Sequence, residues 1–318
     1  MAFLDYTVAG EVIASTFSEA EPGWVDNIYG GMPLLKWMME NGKIKTGSGG
    51  ASRLVNLRYA KNNTAAFIAD SGTISLLVQD NIKVAQYEYK TLGDSMVILD
   101  AERDGNVGEE QIFSIVEERM EDAKLALQDK LSLALFDSSI GANEPQSFAT
   151  IIDSTGTIGG LAASSNAWWA STETASGSMA AQGLKDLTTL AHTISKSMTD
   201  MPNLSVTTQT IYDAYEGTMR GFAQFDTIRD GAIDPGVKKG GLKFKGTTCF
   251  FDENATSGTW YMANTNYLYL YVISSANFKI GPVIRPANQF ADTRLVRWRG
   301  ALCCSNRARQ GKLTGLTS

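Results

Sequence analysis

The sequence is short of catalytic and metal-binding side chains. One histidine, His192, occurs in 318 residues, which excludes an HExxH zinc motif and a Cys/His zinc finger. A Ser-His-Asp triad would have to be built on that single imidazole. There is no GxSxG elbow. Gly47-Ser48-Gly49-Gly50 lacks the lysine of a P-loop, and no GxGxxG opens a helix. Carboxylate pairs such as Asp252-Glu253 are too common among 34 acids to signal glycosidase chemistry. The three cysteines, Cys249, Cys303 and Cys304, make no CxxC and no disulfide framework. Adjacent Cys303 and Cys304 would point to opposite faces of a strand and are poorly placed to pair. This reads as a chain folded in a reducing cytoplasm. No apolar run approaches the roughly 18 residues of a membrane span. Met1 to Phe17 carries Asp5 and Glu11 and no basic stretch, so it reads as neither signal nor transit peptide. No enzyme, cofactor, metal or membrane is expected.

What is present suits a globular protein. Hydrophobic residues make up 43% and charged residues 19% of the chain, enough to bury a core in two domains or one with large excursions. The formal charge of -6 argues against a dedicated nucleic-acid-binding module. That charge is unevenly spread. Asp94 to Asp122 holds ten acids, among them Glu109, Glu110, Glu117, Glu118 and Glu121, against Arg103 and Arg119. Lys36 to Lys61 reverses the balance, with Arg53, Arg58 and Lys61 in a run facing only Glu40. The tail is basic again through Arg294, Arg297, Arg299, Arg307, Arg309 and Lys312. Complementary patches on one chain suit contact between copies, or neutralise each other within one.

The most definite element is a helix over Glu109–Phe136. Phe113, Val116, Met120, Ala123, Leu127, Leu131 and Leu135 recur at helical spacing. Glu117, Glu118, Glu121, Asp122, Lys124 and Lys130 fill the opposite face. Asn106 with Glu109 forms a capping box, and the helix would be roughly 40 Å long. Ahead of it, residues 1 to about 35 read as an extended arm with one short helix, and Leu34 to Met39 as a helical turn or two stopped by Asn41-Gly42. Val55, Leu57 and Tyr59 alternate with polar neighbours, as do Ala85, Tyr87 and Tyr89, which predicts two strands. The excursion between them carries an apolar cluster at Ile74, Leu76, Leu77 and Val78. So long a two-stranded hairpin is marginal alone and must lie on this chain or a neighbour. Met96 to Leu99 reads as a short strand leading into the helix.

After the helix, Asp137 to Gly177 is loop-like, pinned by Trp168-Trp169. Helices are expected at Ser178 to Ser197 and Thr210 to Met219, with a strand at Leu204 to Thr207 between them. Leu242 to Phe244, Thr248 to Phe251, Thr259 to Ala263 and Tyr267 to Ile273 are strand candidates. The stretch from 178 to 275 reads as one α+β unit. Arg294 to Cys303 is a final strand that returns the chain to its first half.

The order of parts carries a resemblance. Extended arm, long two-stranded loop, long helix, inserted α+β unit and returning strand resemble the major capsid protein of tailed bacteriophages, the Hong Kong 97 fold. Local stretches match too: Asn203 to Glu216, Leu242 to Gly246 with Phe251-Asp252-Glu253, Asn264 to Leu268, and Trp298 to Gly311. The resemblance implies an α+β capsid fold with an N-terminal arm (1–44), an E-loop (45–95), a P domain with its spine helix (96–149), an A domain (150–280) and a return to the P domain (281–318). It implies self-assembly into an icosahedral virion shell of hexamers and pentamers, built in the bacterial host cytoplasm. Double-stranded DNA would be enclosed without sequence-specific contacts, with a portal protein at one vertex and decoration proteins as further partners. Because the E-loop reaches over an adjacent subunit in that family, basic Arg53, Arg58 and Lys61 would meet acids near a neighbour's spine helix: Glu109, Glu110, Glu117, Glu118 and Glu121. Some relatives carry a scaffolding segment ahead of the arm and this sequence shows none, so a separate scaffolding protein, or another source of shape control, is expected. Some relatives crosslink a lysine to an asparagine on another subunit; the resemblance does not assign Lys61 or Asn62 to such a pair and leaves crosslinking open. The alternatives are an encapsulin-type nanocompartment of the same fold and a soluble hydrolase with an unrecognised site.

Overall fold

The computed structural model describes residues 28–29, 32–70, 72–73, 76–105, 109–198, 200–220 and 242–318, the side chains of 109–114 and 220 excepted. In chain order, helix α1 is Pro33–Glu40, followed by strands β1 (Ile44–Gly47), β2 (Ser52–Arg58), β3 (Ile82–Glu88) and β4 (Lys90–Leu99). Helices α2 (Asp100–Gly105), α3 (Glu109–Phe136) and α4 (Phe148–Ile151) come next, then β5 (Thr157–Ile158), β6 (Leu161–Ala162) and β7 (Thr172–Ala175). Helix α5 (Leu184–Ile194), β8 (Leu204–Thr207) and α6 (Gln209–Arg220) lead to β9 (Lys243–Phe244), β10 (Thr247–Phe251) and β11 (Trp260–Ala263). The chain ends with β12 (Leu268–Ile273), β13 (Lys279–Ile280), β14 (Ala291–Cys304) and β15 (Gly311–Thr314).

Two sheets organise these elements. The first runs β1-β12-β14-β13, with β4 on the other edge of β14. One of its faces is covered by α3, which packs along β4. Met96, Ile98, Val296 and Trp298 are buried on that side, and Val116, Met120, Ala123, Leu127, Leu131 and Leu135 of the helix are buried with them in one core. The helical stripe therefore faces the sheet as its spacing required; Phe113 and the Asn106 cap lie outside the described side chains. Tyr29 ties the preceding segment to this core: its hydroxyl accepts from Trp298 Nε1 at 3.1 Å and donates to Asn277 Oδ1 at 2.8 Å.

The second sheet runs β7-β15-β11-β8-β10-β9. Leu187, Leu190, Ala191 and Ile194 of α5 and Ile211 and Tyr215 of α6 pack with Trp260, Met262 and Leu313 into its own core. The α+β unit read over 178 to 275 needs correction here. Strand β12 joins the first sheet, pairing with β1 and β14, while β7 and β15 from outside that range complete the second. Short strands carry no mark of which sheet they join; only tertiary packing decides.

Three boundaries also differ. Strand β4 starts at Lys90, because β14 offers ten consecutive partners from Ala291 to Gly300. Helix α2 stands between that strand and the long helix. The second predicted helix opens with a widened π-turn, Met179–Gly183. At Gly183 a β-carbon would lie 2.1 Å from the Met179 sulfur, so the side chain of Met179 fills the space that glycine leaves.

Candidate intersubunit surfaces

Strands β2 and β3 pair antiparallel, from Ser52 opposite Glu88 to Arg58 opposite Ile82. Alternation gives the ribbon two unlike faces. Val55, Leu57, Ala85 and Tyr87 are buried against this same chain. Tyr87 donates its hydroxyl to the Cys304 carbonyl at 2.8 Å, and Gln86 N donates to Gly159 O at 2.9 Å. Tyr59 stacks on Trp168 at 5.2 Å, and Lys83 Nζ reaches Asn166 Oδ1 at 2.7 Å. Trp169 is buried and donates to Ile158 O, so the tryptophan pair pins the loop that carries the hairpin. Thus the hairpin base rests on its own body.

Beyond Tyr59 the support ends. Phe67, Leu76 and Val78 are 110%, 93% and 101% exposed, and Leu77 is 70% exposed. Ile74 lies outside the described residues. Leu54, Ile82 and Val84 are also open on the outer face of the ribbon. Between Asn62 and Asp80 the charges are Asp70 and Asp80 alone, so this tip is apolar and acidic.

The face of the first sheet turned away from α3 has the opposite character. Lys279 lies opposite Arg297 in the ladder, and Arg299 follows two residues on. Lys45 lies opposite Tyr271. Directly opposed residues share a face, as do residues two apart. Lys45 Nζ sits 4.2 Å from the Tyr269 ring centre, and the Arg53 guanidinium sits 4.7 Å from that of Tyr271. Tyr271 also stacks on Tyr89 and leans across Gly47, where a β-carbon would meet its hydroxyl oxygen at 1.7 Å. Among the described residues none of these five cations makes an ion pair, and Leu295 and Phe290 are exposed nearby in the chain.

The charged residues singled out in the sequence have separate fates. Arg53 is held over Tyr271, inside its own subunit. Arg58 and Lys61 are exposed and make no hydrogen bond or ion pair among the described residues. The side chains of Glu109 and Glu110 lie outside the described residues. Glu117 and Glu118 are exposed and make no hydrogen bond or ion pair among the described residues, whereas Glu121 pairs with Lys124 at 2.9 Å. Much of the remaining charge is settled within the chain. Arg103 bridges Asp100 and Asp292 at 3.2 Å each, Arg285 also pairs with Asp100, and Arg119 holds Glu102 at 3.0 Å. In the tail, Arg307, Arg309 and Lys312 are buried, and Arg309 donates to Ile194 O at 2.8 Å. That half of the basic tail is internal fastening, not surface. Sequence reasoning missed Lys45 and Lys279 as members of a basic face, because strand register places them and no sequence signal reports register.

One fastening has a pH signature. Lys312 Nζ lies 2.7 Å from Asp153 Oδ2 and 3.6 Å from Glu173 Oε1, joining β15 to β7 and to the turn between α4 and β5. Burial alone pushes the Asp153 carboxyl up, but hydrogen bonds from Lys312 and Thr155 outweigh it and bring its pKa down to about 2 from 3.8. The folded value is the lower one, so this contact stabilises above 3.8 and is lost as pH falls through about 2. Urea midpoints should fall over that interval and fall less steeply in Lys312→Met. An identical slope in that variant would exclude the pair as the cause.

Among the described residues the histidine and the cysteines lie apart. His192 is exposed, with Nε2 2.9 Å from Lys245 Nζ. Cys249, Cys303 and Cys304 are free and buried, and burial pushes their thiols up to about 11, 12 and 12. Thiols that hard to ionise make poor nucleophiles. Among the described residues no group of three or more His, Cys, Asp or Glu could hold a metal ion, and no helix is long and apolar enough to cross a membrane.

No family model and no curated protein matches the sequence. Solved structures do. The chain is similar to the capsid subunit of cyanophage A-1(L), with a TM-score of 0.63 at 13% identity over 87% of this chain and 91% of that one. A chain from Mycobacterium phage Cain gives 0.55 at 13% identity over 87% and 90%. The holo-SrpI encapsulin complex of Synechococcus elongatus PCC 7942 gives 0.52 at 9% identity over 88% and 87%. The fold is therefore that of phage capsid subunits, Hong Kong 97-like, as the order of parts implied.

Proposed function

We propose that this protein is the subunit of a closed icosahedral shell that encloses a double-stranded DNA phage genome, assembled as hexamers and pentamers. The observation that carries this reading is the bare hairpin tip. Burying an exposed Leu, Phe or Val stabilises by about 1.5–3 kcal/mol per side chain, and patches of this kind on soluble proteins mark contact sites. The residues from 45 to 95 then act as the E-loop and 1–44 as the arm. The segments 96–149 and 281–318 act as the P domain and 150–280 as the A domain, save that β12 lies in the first sheet with β4 and β14, and β15 in the second. The apolar, acidic tip complements the basic, aromatic sheet face of an adjacent copy, while Arg58 and Lys61 are free to meet a neighbour's Glu117 and Glu118. Catalysis has no part in this reading; the work is binding between copies. A scaffolding protein, a portal and external decoration proteins are the further partners it calls for. The encapsulin of the same fold supports a second reading, in which the shell holds a protein cargo, and shell contents decide between them.

Negative-stain electron microscopy of the purified protein, alone and with a co-expressed scaffold, tests the class. Closed shells or rings of five and six are expected; monomers under every condition would remove the proposal. Within it, the triple variant Leu76→Ser, Leu77→Ser, Val78→Ser should keep native circular dichroism and stability within about 0.5 kcal/mol, yet form no shells. Normal shells from that variant would detach the tip from assembly.

A further inference from the structure

The face of the first sheet turned away from α3 changes character along its length. At one end it is aromatic, and its own cations already cover the rings: Lys45 lies on Tyr269 and Arg53 on Tyr271. At the other end, where β4 pairs with the start of β14, it is apolar and bare. Leu295 lies opposite Ser95 of β4, and on its other side Gly281 N donates to its carbonyl at 2.8 Å. With a small neighbour on each side, the Leu295 side chain stands clear of the sheet and is 49% exposed. Ladder alternation puts Leu99, opposite Ala291, and Ile284, opposite Thr293, on this same face, and both are exposed. Phe290, the residue before β14, is 83% exposed.

Two cations border this patch. Arg297 follows Leu295 by two residues, and Lys279 lies opposite it. The partner of Arg297 on the β4 side is Gly93, which has no side chain to cover it. Both cations are exposed, and neither makes an ion pair or lies over a ring among the described residues.

We infer that this bare end of the sheet receives the hairpin tip of a second copy of this chain, a contact that rests on the assembly reading above and gives it a place. Apolar surface meets apolar surface. Phe67, Leu76, Leu77 and Val78 of the tip are exposed, as are Leu99, Ile284, Phe290 and Leu295, so the two surfaces do not cover each other within one chain. Charge meets charge as well. Asp70 and Asp80 are the only charged residues from 62 to 80, and the cations at the border of the patch are unpaired. The aromatic end offers no such match, because Lys45, Arg53 and Tyr89 already lie against its rings. The place also agrees with Arg58 and Lys61. Strand β4 runs through Leu99 into α2, and Arg119 of α3 holds Glu102 of α2, which stands Glu117 and Glu118 at this same end of the sheet. A neighbour's hairpin that lands here brings its Arg58 and Lys61, at the foot of the tip, towards those acids.

The test is cross-linking between two chains that each carry one added cysteine, Val78→Cys in one and Leu295→Cys in the other. Both positions are exposed, so neither change should disturb the fold. The native Cys249, Cys303 and Cys304 are buried, so the added thiols react first with a short bis-maleimide. Equal amounts of the two chains, mixed and treated, should give covalent dimers on a denaturing gel, well above the yield of either chain alone. Lys45→Cys, at the aromatic end, should give few when it replaces Leu295→Cys. Arg297→Glu in the Leu295→Cys chain should lower the dimer yield about tenfold. Asp70→Arg with Asp80→Arg in the Val78→Cys chain should then restore it. No dimers from the first mixture, an equal yield through Lys45→Cys, or a yield that Arg297→Glu leaves unchanged would overturn the landing site. Electron microscopy of the same samples separates the two claims. Shells without dimers would leave the patch to a different polypeptide and overturn this contact alone, whereas dimers without shells would sink the icosahedral reading and leave the contact standing.

Discussion

Met120→Asp should yield no soluble folded protein. Met120 is 4% exposed on the buried stripe of α3, between Val116 and Ala123, both also buried. The new carboxylate would face the apolar side of the first sheet, where Met96, Ile98, Val296 and Trp298 offer no donor in place of water except an indole nitrogen already bonded to Tyr29. The bases nearest in sequence are engaged elsewhere: Arg119 holds Glu102 and Lys124 holds Glu121. An unpaired buried charge costs several kcal/mol, against a total stability of about 5–15 kcal/mol for a typical domain. Met120→Leu, which conserves volume, should cost less than about 1.5 kcal/mol. Together they separate charge from shape. A soluble Asp variant with native circular dichroism would mean that the helix presents another face to the sheet.

The helix could be read because a long element repeats its signal many times. The stripe from Val116 to Leu135 states the same period at each turn, and no single residue has to be right. The strand at Leu204–Thr207 was legible for another reason: it is buried on both faces, which makes it a short continuous run of strand-favouring residues. Where a position depends on a distant partner, the sequence was silent. Nothing near Leu268 says that it pairs with Cys304 and not with Ala263. Arg53 reads as one more surface base, yet its destination is the Tyr271 ring on a strand more than two hundred residues away. Asp252-Glu253 reads as an ordinary acidic pair, and statistically it is one. What distinguishes Asp252 is its burial, in a turn that Asn254 fastens to α3. Charge is legible as a count along the chain, but its burial and its partners belong to the tertiary structure.

Arg307→Met should destabilise the protein by about 3–5 kcal/mol. The Arg307 side chain is wholly buried and meets backbone, not carboxylate. Its Nε donates to Ile151 O at 2.8 Å, and Nη2 donates to Asp153 O and Thr155 O at 2.7 and 2.5 Å, with a longer contact to Thr150 O at 3.3 Å. One planar group thus satisfies the carbonyls with which the chain leaves α4 and turns toward β5. Replacing a buried ion pair by apolar residues is often neutral, because both partners can be replaced at once. That escape is closed here: the acceptors are peptide carbonyls, which persist whatever residue stands at 307, and methionine has no donor to give them. Arg307→Lys keeps a charge and three donors but loses the fork, so its stability should fall between the two. Urea unfolding gives the size of the effect. Amide exchange gives its place, and protection should be lost first over residues 150–155. A methionine variant within about 1 kcal/mol of the parent would show that these carbonyls find other donors, and that the buried guanidinium is dispensable to the fold.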